Sequence, residues 1–165
     1  MTEQPKEAHQ DSKTTGTIAN TPEKVVVWKY MVQGWGLGDL ALVDEIVAPD
    51  VIDHDPFSGQ KAGREGWKQA LLMIRGIMPD MKVAIEEMVQ EGEHVAVRYV
   101  CLGTNQGEFQ GRPPTGKPML IRGIGIERVT NGKMSETHRI LDIRFDYQPS
   151  TQDVASIWDL THVEE

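Results

Sequence analysis

Residues 81–102, MKVAIEEMVQEGEHVAVRYVCL, decide the fold. Val83, Ile85, Glu87 and Val89 alternate, Glu91-Gly92 turns the chain, and Val95, Val97, Tyr99 and Cys101 alternate again. Side chains two apart share one face of a strand, so this pattern predicts an antiparallel hairpin. Upstream the period lengthens. Thr21-Pro22-Glu23 offers an N-cap, a proline at the first helical position and an acid in the first turn. Val25, Val26, Trp28, Tyr30, Met31, Val32 and Trp35 then cover more than one face, which predicts a largely buried helix ended by Gly34, Gly36 and Gly38. Asp39 caps a short second helix that Pro49 stops, and residues 51–56 read as a short strand running into a loop. Residues 62–77 carry Trp67, Leu71, Leu72, Ile74 and Ile77 at helical spacing. Downstream, residues 107–117, GEFQGRPPTGK, form a shaped loop, because prolines fix φ and glycines allow positive φ. A strand over 119–129, the turn Asn131-Gly132 and a last strand from 133 to about 147 follow, with a short terminal helix restarting near Pro149-Ser150. Helices first and antiparallel strands afterwards predict an α+β fold. A strongly curved antiparallel or mixed sheet wraps around the N-terminal helices and leaves a cone-shaped cavity suited to a small molecule.

With 165 residues, 39% of them hydrophobic and 25% charged, the chain is sized for one folded domain. Residues 1–20 are polar with little to bury and read as a disordered tail, which leaves 21–165 as that domain. A net charge of −8 with scattered basic residues argues against a nucleic-acid partner. No apolar run approaches the roughly 18 residues of a membrane span, and residues 1–7 lack a secretion signal, so a soluble, cytoplasmic protein is expected. The single cysteine, Cys101, lies within an apolar strand and reads as a buried structural thiol. There is no Gly-x-Ser-x-Gly elbow, phosphate loop or Cys-x-x-Cys pair, so covalent catalysis has no support. Gly123 and Gly125 lack the strand-to-helix setting of a dinucleotide site and are expected to be sheet-bend glycines.

The last strand carries the chemistry. Glu136, His138, Ile140 and Asp142 share a face unless a bulge intervenes. A carboxyl group enclosed there among apolar neighbours has its pKa raised toward neutrality, as a general acid or base requires. The competing reading makes that face solvated and gives the core to Leu141, Ile143 and Phe145. Asp53-His54-Asp55 is a second constellation, in which alternation sends His54 opposite both aspartates. With His138 and Asp142 it would make a two-histidine, carboxylate set, but no recognised ligand spacing is present and no metal is expected. His94 follows a turn and is expected at the surface. Trp28, Met31, Trp67 and Met119 are candidates to line a cavity.

At these residues the chain resembles the SnoaL-like polyketide cyclases, within the nuclear transport factor 2-like superfamily. The matching pieces are His54-Asp55-Pro56, Gly63-Arg64-Glu65-Gly66, Pro79-Asp80, Glu91-Gly92 with Val95-Ala96-Val97-Arg98, residues 107–117, and Asn131-Gly132-Lys133 with Glu136 and Asp142. They run in order over about residues 21–145. The resemblance implies a cofactor-free pocket closed by the curved sheet, in a homodimer or higher homo-oligomer, acting on polyketide-like substrates of secondary metabolism such as antibiotic biosynthesis. Its cyclases close rings by aldol chemistry, with a base taking a proton next to a carbonyl and an acid protonating the accepting carbonyl. Related members are isomerases, hydrolases or dehydratases. Two positions depart from the family. His138 stands where an aromatic wall is usual, and Arg139 falls where the aldol cyclases carry their acid. Asp142, His138 and His54 are therefore the expected catalytic groups, with Asp142 as base and His138 as acid. Glu136, Trp28, Met31, Trp67 and Met119 are the expected substrate contacts, and Arg139 is expected to face solvent or a subunit interface. The alternatives are a hydrolase or dehydratase, for instance one that opens epoxides, or a non-catalytic binding domain.

Overall fold

The computed structural model describes residues 18–151; most of the expected N-terminal tail and of the expected terminal helix lies outside them. Helix α1, Pro22–Lys29, begins as its sequence dictates, with the Thr21 side chain accepting from the Lys24 amide at 3.3 Å. It continues without a break into a π-helical segment, Tyr30–Gly36, which buries Tyr30, Met31, Gly34 and Trp35. Gly34 packs there against the Tyr30 ring and Val43, where a Cβ would make ordinary contact at 3.5 Å. Helix α2, Leu40–Ile46, is capped by Asp39, whose carboxylate accepts from the Leu42 amide at 3.0 Å. Strand β1, Val47–Asp53, follows at once. Pro49 therefore does not stop the helix; it stands in an edge strand, where a missing amide donor is tolerated. Helix α3 spans Gly63–Ile77, and β2 (Lys82–Glu91), β3 (His94–Thr104), β4 (Pro118–Thr130) and β5 (Lys133–Arg144) complete the elements.

The strands form one mixed sheet in the order β1-β5-β4-β3-β2, with β1 parallel to β5 and the other pairs antiparallel. This is the expected α+β architecture, with β1 and β2 at the sheet edges. No helix among the described residues is long and apolar enough to cross a membrane. The helices cover one face of the sheet. Val27, Tyr30, Trp35, Val43, Trp67, Leu71 and Ile74 pack there against Val83, Val97, Cys101, Met119 and Ile121. Cys101 is fully buried and its thiol is pushed up to about 12 by burial, as befits a structural residue.

Two tight turns shape the sheet. Asn131 and Gly132, at φ 51 and 75, close the β4–β5 hairpin. In the 107–117 loop, Phe109 and Arg112 exchange backbone hydrogen bonds of 3.1 and 3.0 Å around Gln110 and Gly111, both at positive φ. Gly107 sits so close to α3 that a Cβ would lie 2.6 Å from the Gly76 carbonyl oxygen. The loop is thus pinned to the end of α3, with Phe109 buried and the Arg112 guanidinium 5.1 Å from the Phe145 ring.

One irregularity determines which face each β5 side chain joins. Val129 opposes Met134, but Arg128 opposes Glu136, so Ser135 is an extra residue. Its hydroxyl lies 3.1 Å from that of Thr130 and donates to the Arg128 carbonyl at 3.3 Å. Met134 faces the helices, and beyond the bulge the phase moves by one. Thr137, Arg139, Leu141 and Ile143 then point inward, and Glu136, His138, Ile140 and Asp142 point to the outer face.

Candidate active site

Cross-strand partners share a face, so the register lists the inner surface row by row. One row sets Asp53, Thr137, Glu127 and Val95 side by side, and the next holds Arg139, Gly125 and Val97. The following row carries Gly123 and Tyr99. Gly123 and Gly125 do more than bend a sheet. A Cβ on Gly125 would lie 2.6 Å from Glu127 Oε1, and one on Gly123 would collide with the Tyr99 ring and hydroxyl. The two glycines make room for a carboxylate and a phenol lying flat on the inner face.

Five side chains, Arg139, Asp53, Glu127, Tyr30 and Tyr99, converge here. Arg139 Nη2 donates to Asp53 Oδ2 at 2.8 Å, and each of these side chains is only 7% exposed. Glu127 is 4% exposed and hydrogen-bonded to Thr137. Burial pushes its carboxyl up to about 7, outweighing the lowering by Thr137 and Arg139. Burial also drives the Tyr30 and Tyr99 hydroxyls far above the usual phenol range, so both remain O–H donors at any physiological pH. Tyr30 packs on Trp67 with ring centroids 4.9 Å apart. Glu127 Oε2, Arg139 Nε and Trp67 Nε1 are buried with no protein partner. An unpartnered buried polar atom costs about 1–3 kcal/mol, so several in one region mark a surface built to meet something polar.

The residues singled out by sequence divide differently. His54 follows β1, its amide donating to the Thr137 carbonyl at 3.1 Å, and its ring stacks on that of His138 with centroids 3.8 Å apart and planes within 5°. His54 Nε2 lies 2.6 Å from Glu136 Oε1, and His138 Nε2 lies 3.8 Å from the same oxygen. The bond to His54 is the main cause that holds the Glu136 carboxyl below its ordinary range. Asp142 does not join them; it pairs with Arg144 at 2.9 Å and its side chain is 54% exposed. His54, Glu136 and His138 therefore meet, but on the outer face, and none of the four lines the interior. This face also bears a groove of about 820 Å3 bordered by Arg98, Arg122, Ile124, Ile126, His138 and Ile140. Among the expected substrate contacts, Met31, Trp67 and Met119 are buried in the core and Trp28 is half-buried against it, while Glu136 is on the other side of the sheet. Arg139 faces away from His138 as expected, yet inward and not toward solvent, because the Ser135 bulge turns it to Asp53. Glu127, Tyr30 and Tyr99 were not singled out for chemistry, and Asp53 was noted only in the constellation with His54 and Asp55. The signal for Glu127 lay in its phase: it continues the buried series Met119, Ile121, Gly123, Gly125 and ends next to Val129.

The sequence model of the SnoaL-like polyketide cyclase family matches residues 25–144. The chain belongs to this family. Among solved structures, IdmH from Streptomyces antibioticus, a proposed polyketide cyclase, is 28% identical at a TM-score of 0.64, covering 86% of this chain and 99% of its own. A proposed polyketide cyclase from Bacillus cereus is 25% identical at a TM-score of 0.65, covering 74% of this chain and 75% of its own. AclR from Streptomyces galilaeus, a proposed hydroxylase, shares the fold at 23% identity and a TM-score of 0.63, covering 74% of this chain and 79% of its own. No curated protein matches the sequence. The fold and the family make this chain a small-molecule enzyme scaffold.

Proposed function

We propose that the chain is an acid–base cyclase or isomerase of polyketide-type metabolism, and that Glu127 is its proton-transfer group. The observation that carries this reading is the enclosed Glu127 carboxyl, raised to about 7, with Oε2 unpartnered. Near neutral pH such a group is present in both forms, so it can take a proton from carbon next to a carbonyl and return it elsewhere. The negative charge that develops on the carbonyl oxygen needs donors already in place. Arg139 and the Tyr30 and Tyr99 hydroxyls supply them in a setting shielded from water. Met31, Trp67 and Met119 belong to the apolar core that surrounds these groups. Arg139 stands at the position where the aldol cyclases carry an acid, so here that position stabilises charge and the acid–base role moves one row along to β4.

The test uses cyclic 1,3-diketone and anthrone probes in D2O with the tag-free protein. Catalysed deuterium exchange at the carbon between the carbonyls, lost in Glu127→Gln and retained in Asp142→Asn, is expected. Exchange unchanged in Glu127→Gln, or lost only in Asp142→Asn, would sink the assignment.

A second reading rests on the two carboxyl groups flanking Arg139. Asp53 is ion-paired and Glu127 is held largely protonated below pH 7, and two carboxyls in unlike environments can divide base and acid. Asp53 would activate water and Glu127 protonate the leaving oxygen, as epoxide opening requires. Incorporation of 18O from labelled water into an epoxide probe favours this reading over isomerisation. We also infer that the outer face joins two copies of the chain, since Ile124 and Ile140 lie directly opposite one another there and are 58% and 81% exposed.

A further inference from the structure

We propose that His54, Glu136 and His138 form a binding site on the outer sheet face for one divalent transition-metal ion of the zinc type. Two imidazoles and a carboxylate are a donor set that suits zinc, cobalt or nickel and disfavours calcium or magnesium, which take oxygen ligands. Their ligating atoms all lie within 4.8 Å of one another. Bonds of about 2.0–2.1 Å place the ligand atoms of a tetrahedral ion about 3.4 Å apart. The distances of 2.6 and 3.8 Å from Glu136 Oε1 to the two Nε2 atoms bracket that value, so small rotations of partly exposed side chains complete the geometry.

The backbone fixes the three groups independently of any ion. Glu136 and His138 are two apart on β5 and so share a face, while the parallel pairing of β1 with β5 and the His54 amide bond to the Thr137 carbonyl deliver His54 beside them. The stacked rings keep both Nε2 atoms directed at one carboxylate oxygen. Glu136 divides its oxygens: Oε2 lies 3.7 Å from Arg128 Nη1, and Arg128 is itself held by Glu93 at 3.0 Å. That partner orients the carboxylate and leaves Oε1 for the ion, as outer-sphere groups do at metal sites. With the side chains of His54 and His138 37% and 56% exposed, coordination positions remain open to water. The ion would clamp the free end of β1 to β5.

The experiment uses tag-free full-length protein stripped with EDTA and titrated with ZnCl2 by calorimetry, then with CoCl2 followed by absorption. One equivalent bound in the micromolar range or tighter, with cobalt bands between 500 and 650 nm of tetrahedral intensity, is expected. His54→Ala, Glu136→Gln and His138→Ala should each weaken binding at least tenfold, and zinc should raise the melting temperature of the wild type but not of these variants. His94→Ala, an exposed histidine two strands away in the row of Arg128 and Glu136 and outside the cluster, should bind like the wild type. No saturable binding, a six-coordinate cobalt spectrum, or binding that survives His54→Ala with His138→Ala would overturn the site. Circular dichroism identical to wild type separates loss of ligands from loss of fold.

Discussion

Glu127 links chemistry to stability at the scale of one residue. Its carboxyl titrates near 7 in the fold against 4.5 for the ordinary group. Below pH 4.5 both folded and unfolded chains hold the proton, and stability is full. As pH rises toward 7 the unfolded chain gives up its proton first, so stability falls, by an order of about 3 kcal/mol before it levels off. Urea unfolding of the wild type at pH 5 and pH 8 should show this drop, and Glu127→Gln should flatten it and be the more stable protein at pH 8. A wild-type midpoint that rises from pH 5 to pH 8 would contradict the burial argument. The two glycines beneath the polar groups should behave unequally. Gly125→Ala meets the far end of a flexible side chain and should displace the Glu127 carboxylate with little loss of fold, whereas Gly123→Ala meets the rigid Tyr99 ring. The latter should cost roughly 1–3 kcal/mol more in thermal or urea unfolding. Part of this was readable in the sequence in principle, since counting in twos from Ile121 through Gly123 and Gly125 puts Glu127 in the buried phase that ends at Val129. It was obscured because glycines at 123 and 125 are silent in an apolar count, so the acid two residues later looked like part of a charged stretch.

Among the elements, β1 depends most on a single contact. Its parallel pairing with β5 is interrupted between Val47 and Ile52, and the Asp53–Arg139 pair fastens its end. Removing one partner from a buried ion pair leaves an uncompensated charge and typically costs 3–5 kcal/mol. Asp53→Ala and Arg139→Ala should each lower the unfolding free energy by about that much, and the double variant should lose clearly less than the sum. Additive losses in a urea double-mutant cycle would show that the pair is not coupled. Helix starts, the β2–β3 hairpin and the Asn131-Gly132 turn were legible because each rests on local chemistry, although the period of two expected over Val83, Ile85, Glu87 and Val89 breaks between Ile85 and Glu87, which buries Met88 and leaves Val89 60% exposed. Three features were not. The π-helical winding over Tyr30–Gly36 leaves no mark in a sequence whose apolar residues already cover several faces. Pro49 looked like a helix stop because an edge strand tolerates proline equally well. Ser135 carries a bulge that no residue type announces.

Across the whole molecule, the sheet divides two kinds of surface. The inner face holds a buried acid, an ion pair and two phenols in an apolar core, while the outer face carries the imidazole–carboxylate cluster and an exposed isoleucine stripe. The order of elements, and with it the α+β class, was written in the hydrophobic period. The location of the chemistry was not, since it depends on which side of the sheet a strand residue reaches. If the outer stripe pairs two copies, light scattering after size exclusion should give twice the monomer mass, and Ile140→Asp should return the mass of one chain without changing the far-ultraviolet spectrum. A wild-type protein that runs as a monomer at tens of micromolar would remove this face from consideration.

The extra residue at Ser135 acts as a phase setting for all of β5. Were β5 to keep Ser135 but run on from Met134 without the bulge, Glu136, His138 and Asp142 would turn to the helix-covered face and Thr137 and Arg139 to the outer one, with every residue unchanged. Two members of the family can therefore hold the same residues in the same order and still present opposite reagents to a substrate. Counting positions from the hairpin turn is a safe guide to function only where the bulge is shared.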